Sequence, residues 1–389
     1  MAEKPDHLAT RLSHAARDEA LTHGGVNPVL QRASTVLVAS ADDLYAPDAW
    51  TYGRHGTATH KALKEGLSEL ENAPCCAVVS SGLLACTLPF TAFAEPGDHV
   101  LVSDNVYGPT RRFCDRFLRR WGCEVEYFNP TIGGGIETRI RANTRLIFLE
   151  SPGSLTFEIA DVPAIAAVCR RMGVISVIDN TWSAGVFLKP IDLGVDVSVQ
   201  STSKYVSGSA DTLGGALFTR DDRLAAKLRD AASDLGLSVS PDDAYLILRG
   251  LRTLPLRLER HSSSGLKVAR WLQTRAEVAK LLYPALETDV YHDLWKRDFK
   301  GAAGLFGCCL RPDLVGQTSQ FLDELKLFGL GFSWGGFESL VIHCDPQLKR
   351  TAAGSTRLEG PLLRFSIGLE DPDDLIADLD QAFDRLTRR

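Results

Sequence analysis

From about residue 59 to residue 250, short apolar runs of strand length alternate with stretches that repeat apolar residues at helical spacing. "THKALKEGLSELENA" sets Leu63, Leu67 and Leu70 on one helical face, and "CCAVVSS" follows as a short buried strand. "DHVLVSD", "TRLIFLES" and "VISVIDN" are further runs of that kind. Between the last two lies "DVPAIAAVCRRMG", with Asp161 as a cap, Ile165, Val168, Cys169 and Met172 at helical spacing, and Gly173 at its end. Strands that alternate with helices need crossover connections, so the expected fold is α/β with a mostly parallel sheet. Past residue 250 the rhythm changes to helix, scattered strands and a closing helix, "DPDDLIADLDQAFDRL", where Asp371 caps and Pro372 fits the first turn. That mixture predicts a smaller α+β domain. The expected division is an arm over residues 1–56 with little periodicity, an α/β domain over 57–251 and the smaller domain over 252–389.

Composition narrows the class. A chain of 389 residues buries enough surface, about 75% of what it exposes unfolded, to need no disulfide or metal staple. A net charge of −6 argues against a general nucleic-acid binder. The one basic run, "RRFCDRFLRR", puts Phe113, Phe117 and Leu118 on one helical face and leaves most of its arginines for the solvated face. No apolar segment reaches the ~20 residues that span a bilayer, and the polar N-terminus lacks a secretory core. Nine cysteines without regular spacing and without a CxxC predict neither a disulfide framework nor a zinc site. The expectation is a soluble, cytoplasmic protein in a reducing compartment.

Chemistry gathers at strand ends. "VISVIDNTW" ends in Asp179, and "VDVSVQSTSKYVSG" runs from a buried strand into Ser201, Thr202, Ser203 and Lys204. Ligands of open α/β sheets collect beyond the carboxyl ends of the strands, so two opposite charges there point to a site. A turn aspartate and a solvated loop lysine are the plain readings of each alone. "VVSSGLLACTL" reads as a strand, a turn at Gly82 and a helix, whose free N–H groups and partial positive charge suit a phosphate. "YGRHG" holds Arg54 between glycines beside Tyr52, and "NVYGPT" sets Tyr107 in a turn. "LLRFSIG" places Arg364 inside an apolar strand, where it needs a salt bridge or a bound carboxylate.

In that order, "YGRHGTATH", "SSGLLA", "ESPGSL", "VIDNTW", "SKYVSG", "SWGGFESL" and "LLRFSIGLED" resemble the pyridoxal-phosphate enzymes of cysteine and methionine metabolism, the trans-sulfuration family. The resemblance runs from about Tyr52 to the C-terminal helix. It implies an aspartate-aminotransferase-like (fold type I) architecture, usually a homotetramer built as a dimer of dimers. It implies pyridoxal 5'-phosphate as cofactor, joined to Lys204, with Ser201, Ser203 and the N–H groups of Gly82 and Leu83 on its phosphate. Asp179 would pair with the pyridine nitrogen, and Tyr107 would stack on the ring and assist proton transfer. Arg364, Ser333 and Asn180 would hold the substrate carboxylate, beside Trp334. Tyr52 and Arg54 would reach the phosphate of a neighbouring subunit. Ser203 stands where the family usually has Thr, keeping the hydroxyl, and Ser209 where His or Gln is common.

Within the family, "ESPGSL" and "SWGGFES" look most like the β-cleaving branch, which releases homocysteine, pyruvate and ammonia from L-cystathionine in methionine biosynthesis. Cystine and cysteine conjugates are further C–S substrates for such chemistry. The γ-cleaving lyases, the γ-synthases and the methionine γ-lyases are the alternatives. They tend to differ at Ser154 and Trp334, and the methionine γ-lyases at Pro109. His55, Arg111 and Arg112 lie where relatives vary, which leaves recognition of the substrate's far end open. A rival from another class is a serine hydrolase, because "GFSWG" matches a G-x-S-x-G elbow around Ser333. It needs a following helix and a later histidine. "GFESLVIH" reads instead as a strand, and the one histidine downstream is His343.

Overall fold

The computed structural model describes residues 7–46, 50–355 and 358–387. Seven strands form the larger sheet: β1 (Cys75–Val79), β2 (His99–Ser103), β3 (Glu124–Phe128), β4 (Thr144–Glu150), β5 (Ile175–Asp179), β6 (Val197–Ser201) and β7 (Gly215–Phe218). They lie in the order β1-β7-β6-β5-β4-β2-β3. Strands β2 to β6 are mutually parallel, whereas β7 runs antiparallel to β6 and β1. Each parallel neighbour requires a crossover, and the helix Val162–Met172 makes the one from β4 to β5. Asp161 accepts from the Ala164 N–H at 3.2 Å to start that helix, and Gly173 at φ +68° ends it.

Leu146, Ile147, Phe148 and Leu149 of β4 are fully buried, as a strand covered on both faces must be. Burial of each such side chain stabilises by about 1.5–3 kcal/mol, so the centre of the sheet is rigid. Its parallel strands end along one edge, with Glu150 closing β4, Asp179 closing β5 and Ser201 closing β6. Sheet register sets Glu150 directly opposite Asp179.

A second sheet holds β8 (Val278–Leu282), β9 (Leu305–Leu310), β10 (Gly329–Leu330), β11 (Leu340–His343) and β12 (Leu362–Ser366) in the order β10-β11-β12-β9-β8. The helices Leu254–Leu272 and Pro372–Thr387 pack against each other beside it, with the rings of Trp271 and Phe383 at 6.4 Å. Among the described residues, no helix is long and apolar enough to cross a membrane.

Two details go beyond what the sequence shows. Residues 1–6 of the arm lie outside the described residues, but Leu8–His14 is a helix that packs on Ala58–Glu71 of its own chain, with Leu12 fully buried. Two helical turns offer too few apolar repeats to register as periodicity. Ala15, Ala16, Leu21 and Thr22 are buried as well, and the arm becomes exposed only further on, with Leu37 90% and Tyr45 89% accessible. Second, Arg112, Arg116, Arg119 and Arg120 of the basic run are exposed as expected, while Arg111 is buried, paired with Asp104 at 2.7 Å and stacked 3.8 Å above the Tyr127 ring.

Candidate active site

Beyond the carboxyl edge of the larger sheet lies a cavity of about 280 Å³. The turn after β1, the loop after β4, the end of β5, the turn after β6, the turn at Tyr107 and the second sheet all contribute to its wall. Lys204 stands three residues past the end of β6, and its Nζ donates to Ser333 Oγ at 2.8 Å. Burial and the nearby Arg364 guanidinium lower its pKa to about 8, with Asp179 and Glu338 opposing. A lysine so placed supplies far more neutral, nucleophilic amine near physiological pH than an ordinary lysine does, although the protonated form still predominates below pH 8.

One end of the cavity is built for an anion. Ser81 accepts from the Leu84 N–H at 3.2 Å and starts the helix Gly82–Phe93. The N–H groups of Gly82 and Leu83 belong to its first turn and have no acceptor within the helix. Gly82 is required here, because a Cβ would run into the side chain of Ser201. Ser203 Oγ is held in place by Gly214, donating to its carbonyl at 3.2 Å and accepting its N–H at 2.9 Å.

The other end is built for a cation. Asp179 is only 8% exposed, and its Oδ1 accepts the Thr181 N–H at 3.0 Å and the Thr181 hydroxyl at 2.5 Å. Its Oδ2 accepts the Cys86 thiol at 3.2 Å. Burial nonetheless raises the Asp179 pKa, which a cationic partner in the cavity would reverse. Glu150, across the register, accepts the Tyr107 N–H at 2.6 Å, and burial followed by the Asp179 charge raises its carboxyl well above the usual range. Burial also raises the Tyr107 phenol, so the ring keeps its proton.

Arg364, in β12, donates to the carbonyls of Phe332 at 2.6 Å and Ser333 at 3.2 Å, and its buried Nε has no partner. Such an orphan donor costs about 1–3 kcal/mol unless a ligand accepts from it. Trp334 packs 5.5 Å from the Tyr205 ring, with Lys204 Nζ 5.4 Å from its own centroid.

Ten of the thirteen residues singled out from the sequence line this cavity: Gly82, Leu83, Tyr107, Asp179, Ser201, Ser203, Lys204, Ser333, Trp334 and Arg364. Asn180 does not. Its amide donates to Glu71 at 3.0 Å and to the Leu188 carbonyl at 3.2 Å, on the far side of the strand end. Side chains of consecutive strand residues alternate in direction, so Asp179 and Asn180 cannot both face the cavity. Tyr52 and Arg54 do not line it either. Arg54 donates to the Ser233 carbonyl at 3.1 Å and lies 5.6 Å from the Tyr52 ring, with both residues exposed. The hydrolase reading loses its parts: a strand follows Ser333 rather than a helix, Ser333 Oγ accepts from Lys204, and His343 does not line the cavity that holds Ser333.

Sequence reasoning passed over Glu150, Thr181 and Cys86. Glu150 carries the same signal as Asp179, an acid closing a buried strand. The other two carry none, since hydroxyls after a strand and cysteines inside an apolar helix are common core residues.

A long, flat molecule with an anion at one end and a protonated ring nitrogen at the other matches this charge layout. Pyridoxal phosphate has that form, and the free first-turn N–H groups, the buried acid and the neutral amine fit it.

Residues 9–384 match the family model described as Cys/Met metabolism PLP-dependent enzyme. The chain is 42% identical to a cystathionine beta-lyase of Escherichia coli over 99% of its own length and 100% of that protein. It is 40% identical to a cystathionine beta-lyase of Salmonella typhimurium, covering 97% and 98% of the two chains. A solved cystathionine gamma synthase from Xanthomonas oryzae, in complex with aminoacrylate and cysteine, superposes with a TM-score of 0.91 at 30% identity, covering 98% and 99%.

Proposed function

The chain belongs to the Cys/Met metabolism family of PLP-dependent enzymes, and from that premise we propose that it is a carbon–sulfur lyase acting on L-cystathionine. The balanced reaction is R–S–CH2–CH(NH3+)–COO− plus water giving R–SH, pyruvate and ammonium, with homocysteine as R–SH. The observation that carries this reading is the half-buried Lys204 amine, 2.8 Å from Ser333 and flanked by Asp179 and Arg364. The likeness to curated β-lyases favours β- over γ-cleavage.

Pyridoxal phosphate, when bound, supplies an electron sink for the pair left at Cα. The chain's own residues do the rest. Gly82, Leu83, Ser201 and Ser203 would hold the phosphate, and Asp179 would keep the ring nitrogen protonated. Tyr107 would cover the ring, anchored through its N–H by Glu150. Arg364 and Ser333 would fix the substrate carboxylate, which orients the Cα–H bond towards Lys204. With a pKa near 8, Lys204 can take that proton and return it to the departing sulfur. Product analysis with L-cystathionine tests the reading. Pyruvate with homocysteine is expected, and 2-oxobutyrate with cysteine would move the chain to the γ-cleaving branch.

Residues 57–251 would form the cofactor-holding domain and 252–389 the smaller one. We also assign a homotetramer, a dimer of dimers, working in the cytoplasm. The exposed arm around Leu37 and Tyr45 and nine buried, unpaired cysteines support this. In such an assembly Tyr52 and Arg54 would serve a neighbour's phosphate, which accounts for their distance from the cavity of their own chain. Arg54→Ala and Lys204→Ala homo-oligomers should each be nearly inactive. Coexpressed, they should regain part of the activity, since one site of a hybrid dimer receives Lys204 from one chain and Arg54 from the other. Hybrids that form and recover nothing would return Arg54 to its own subunit.

A further inference from the structure

A second cleft of about 410 Å³ opens from the first, sharing Tyr107, Ser154, Leu155 and Arg364 as common wall. Its remaining charged lining is one-sided. Arg111, Arg112 and Arg116 come from the helical segment after Tyr107, and Lys349 and Arg350 from the loop facing it. Asp115 is the single acid on the wall.

The internal partners account for only part of this charge. Arg111 is neutralised by Asp104 at 2.7 Å. Arg350 is spent on the Asp104 carbonyl at 2.8 Å and on the Thr156 hydroxyl. Asp115 accepts from the Tyr127 hydroxyl at 2.8 Å and sits 3.6 Å from Arg119, outside the cleft. Arg112, Arg116 and Lys349 form no ion pair or hydrogen bond through their side chains with any described residue. Three uncompensated cations around one concave surface repel each other and raise the local concentration of anions.

We propose that this annex is an anion subsite that selects thioether substrates whose far end carries a carboxylate without a balancing ammonium. The inference rests on the β-elimination reading above and deepens it. Arg364 would hold the α-carboxylate at the common wall, and the sulfur substituent would extend past Tyr107 into the annex. Arg112 and Arg116 lie four residues apart, on one helical face, and offer two planar forks. L-cystathionine brings both a carboxylate and an ammonium to that end, so it satisfies the annex only in half. A thioether ending in a carboxylate alone satisfies it fully.

The test compares S-(2-carboxyethyl)-L-cysteine with its neutral isostere S-(2-carbamoylethyl)-L-cysteine, reading pyruvate release by the holoenzyme. In the wild type kcat/KM should favour the acid by about tenfold or more, the effect of one charge-assisted hydrogen bond. The preference should shrink as salt rises from about 0.05 to 0.5 M, because these side chains are exposed. Arg112→Gln/Arg116→Gln and, separately, Lys349→Gln should each lower the acid-to-amide ratio severalfold. A ratio cancels any loss of folded enzyme. Equal turnover of acid and amide, or a ratio that persists in both variants, overturns the subsite while pyruvate from the amide keeps β-elimination standing. No pyruvate from either compound, with cofactor bound, ends the β-elimination reading and this one with it.

Discussion

Lys204→Ala is expected to leave a folded protein that turns over substrate at least roughly a thousandfold more slowly, the scale of a lost acid–base group. Among the described residues no other lysine lines the cavity, so none of them is placed to substitute for it. Folding should survive, because the substitution removes an amine that burial already penalises. The sign follows from the depressed pKa. Between about 8 in the folded state and about 10.5 unfolded, the unfolded chain binds the extra proton. Stability of the cofactor-free wild type should therefore gain from this group as pH rises through that window, with the penalty fully present below about pH 8. Thermal melts of the Ala variant should lack that rise. Attachment of cofactor to the wild-type chain should speed up towards pH 8 and then level off, as the neutral amine is the reactive form. Borohydride trapping followed by peptide mapping should put the label on Lys204. A label elsewhere, or a wild-type rate in the Ala variant, removes it from the chemistry.

What the sequence made legible, it did through period and position. Apolar runs of strand length separated by helical repeats foretold the parallel sheet, and strand ends foretold where Asp179 and Lys204 meet. A lysine seen next to hydroxyls in "STSK" could be weighed because a strand fixes where its last residues go. Two things stayed hidden for physical reasons. Alternation lets only one of two neighbouring strand residues face the cavity, but the sequence does not mark whether Asn180 still follows the strand, so it reads as available although it points to Glu71. Nor does the sequence show distant partners: nothing in the basic run sets Arg111 apart from its neighbours, and only the fold brings Asp104 under it. The uncompensated charge of the annex is invisible for the same reason, since Lys349 lies more than two hundred residues from Arg112 along the chain.

Asp179→Asn isolates the charge at the deep end of the cavity, and it is expected to bind cofactor weakly and to lose most of its activity. The amide has the shape of the carboxylate, so the two donors of Thr181 can still be met by its oxygen. Its nitrogen must then occupy the place of Oδ2, beside Cys86 and facing the cavity. A donor would meet the protonated ring nitrogen of the cofactor where an anion stood before. Breaking one side of a buried ion pair costs about 3–5 kcal/mol, which corresponds to roughly two to four orders of magnitude in affinity. Turnover should fall further than occupancy, because an unprotonated ring is a poor electron sink. Saturating the variant with cofactor separates the two effects. Glu150→Gln is the control from the neighbouring strand: its carboxyl accepts the Tyr107 N–H, which an amide oxygen can still do, so its loss should lower affinity far less. If the two variants behave alike, proximity to the strand ends matters and the charge on Asp179 does not. If Asp179→Asn binds cofactor as tightly as the wild type and turns over as fast, the deep end of the cavity does not receive the ring nitrogen.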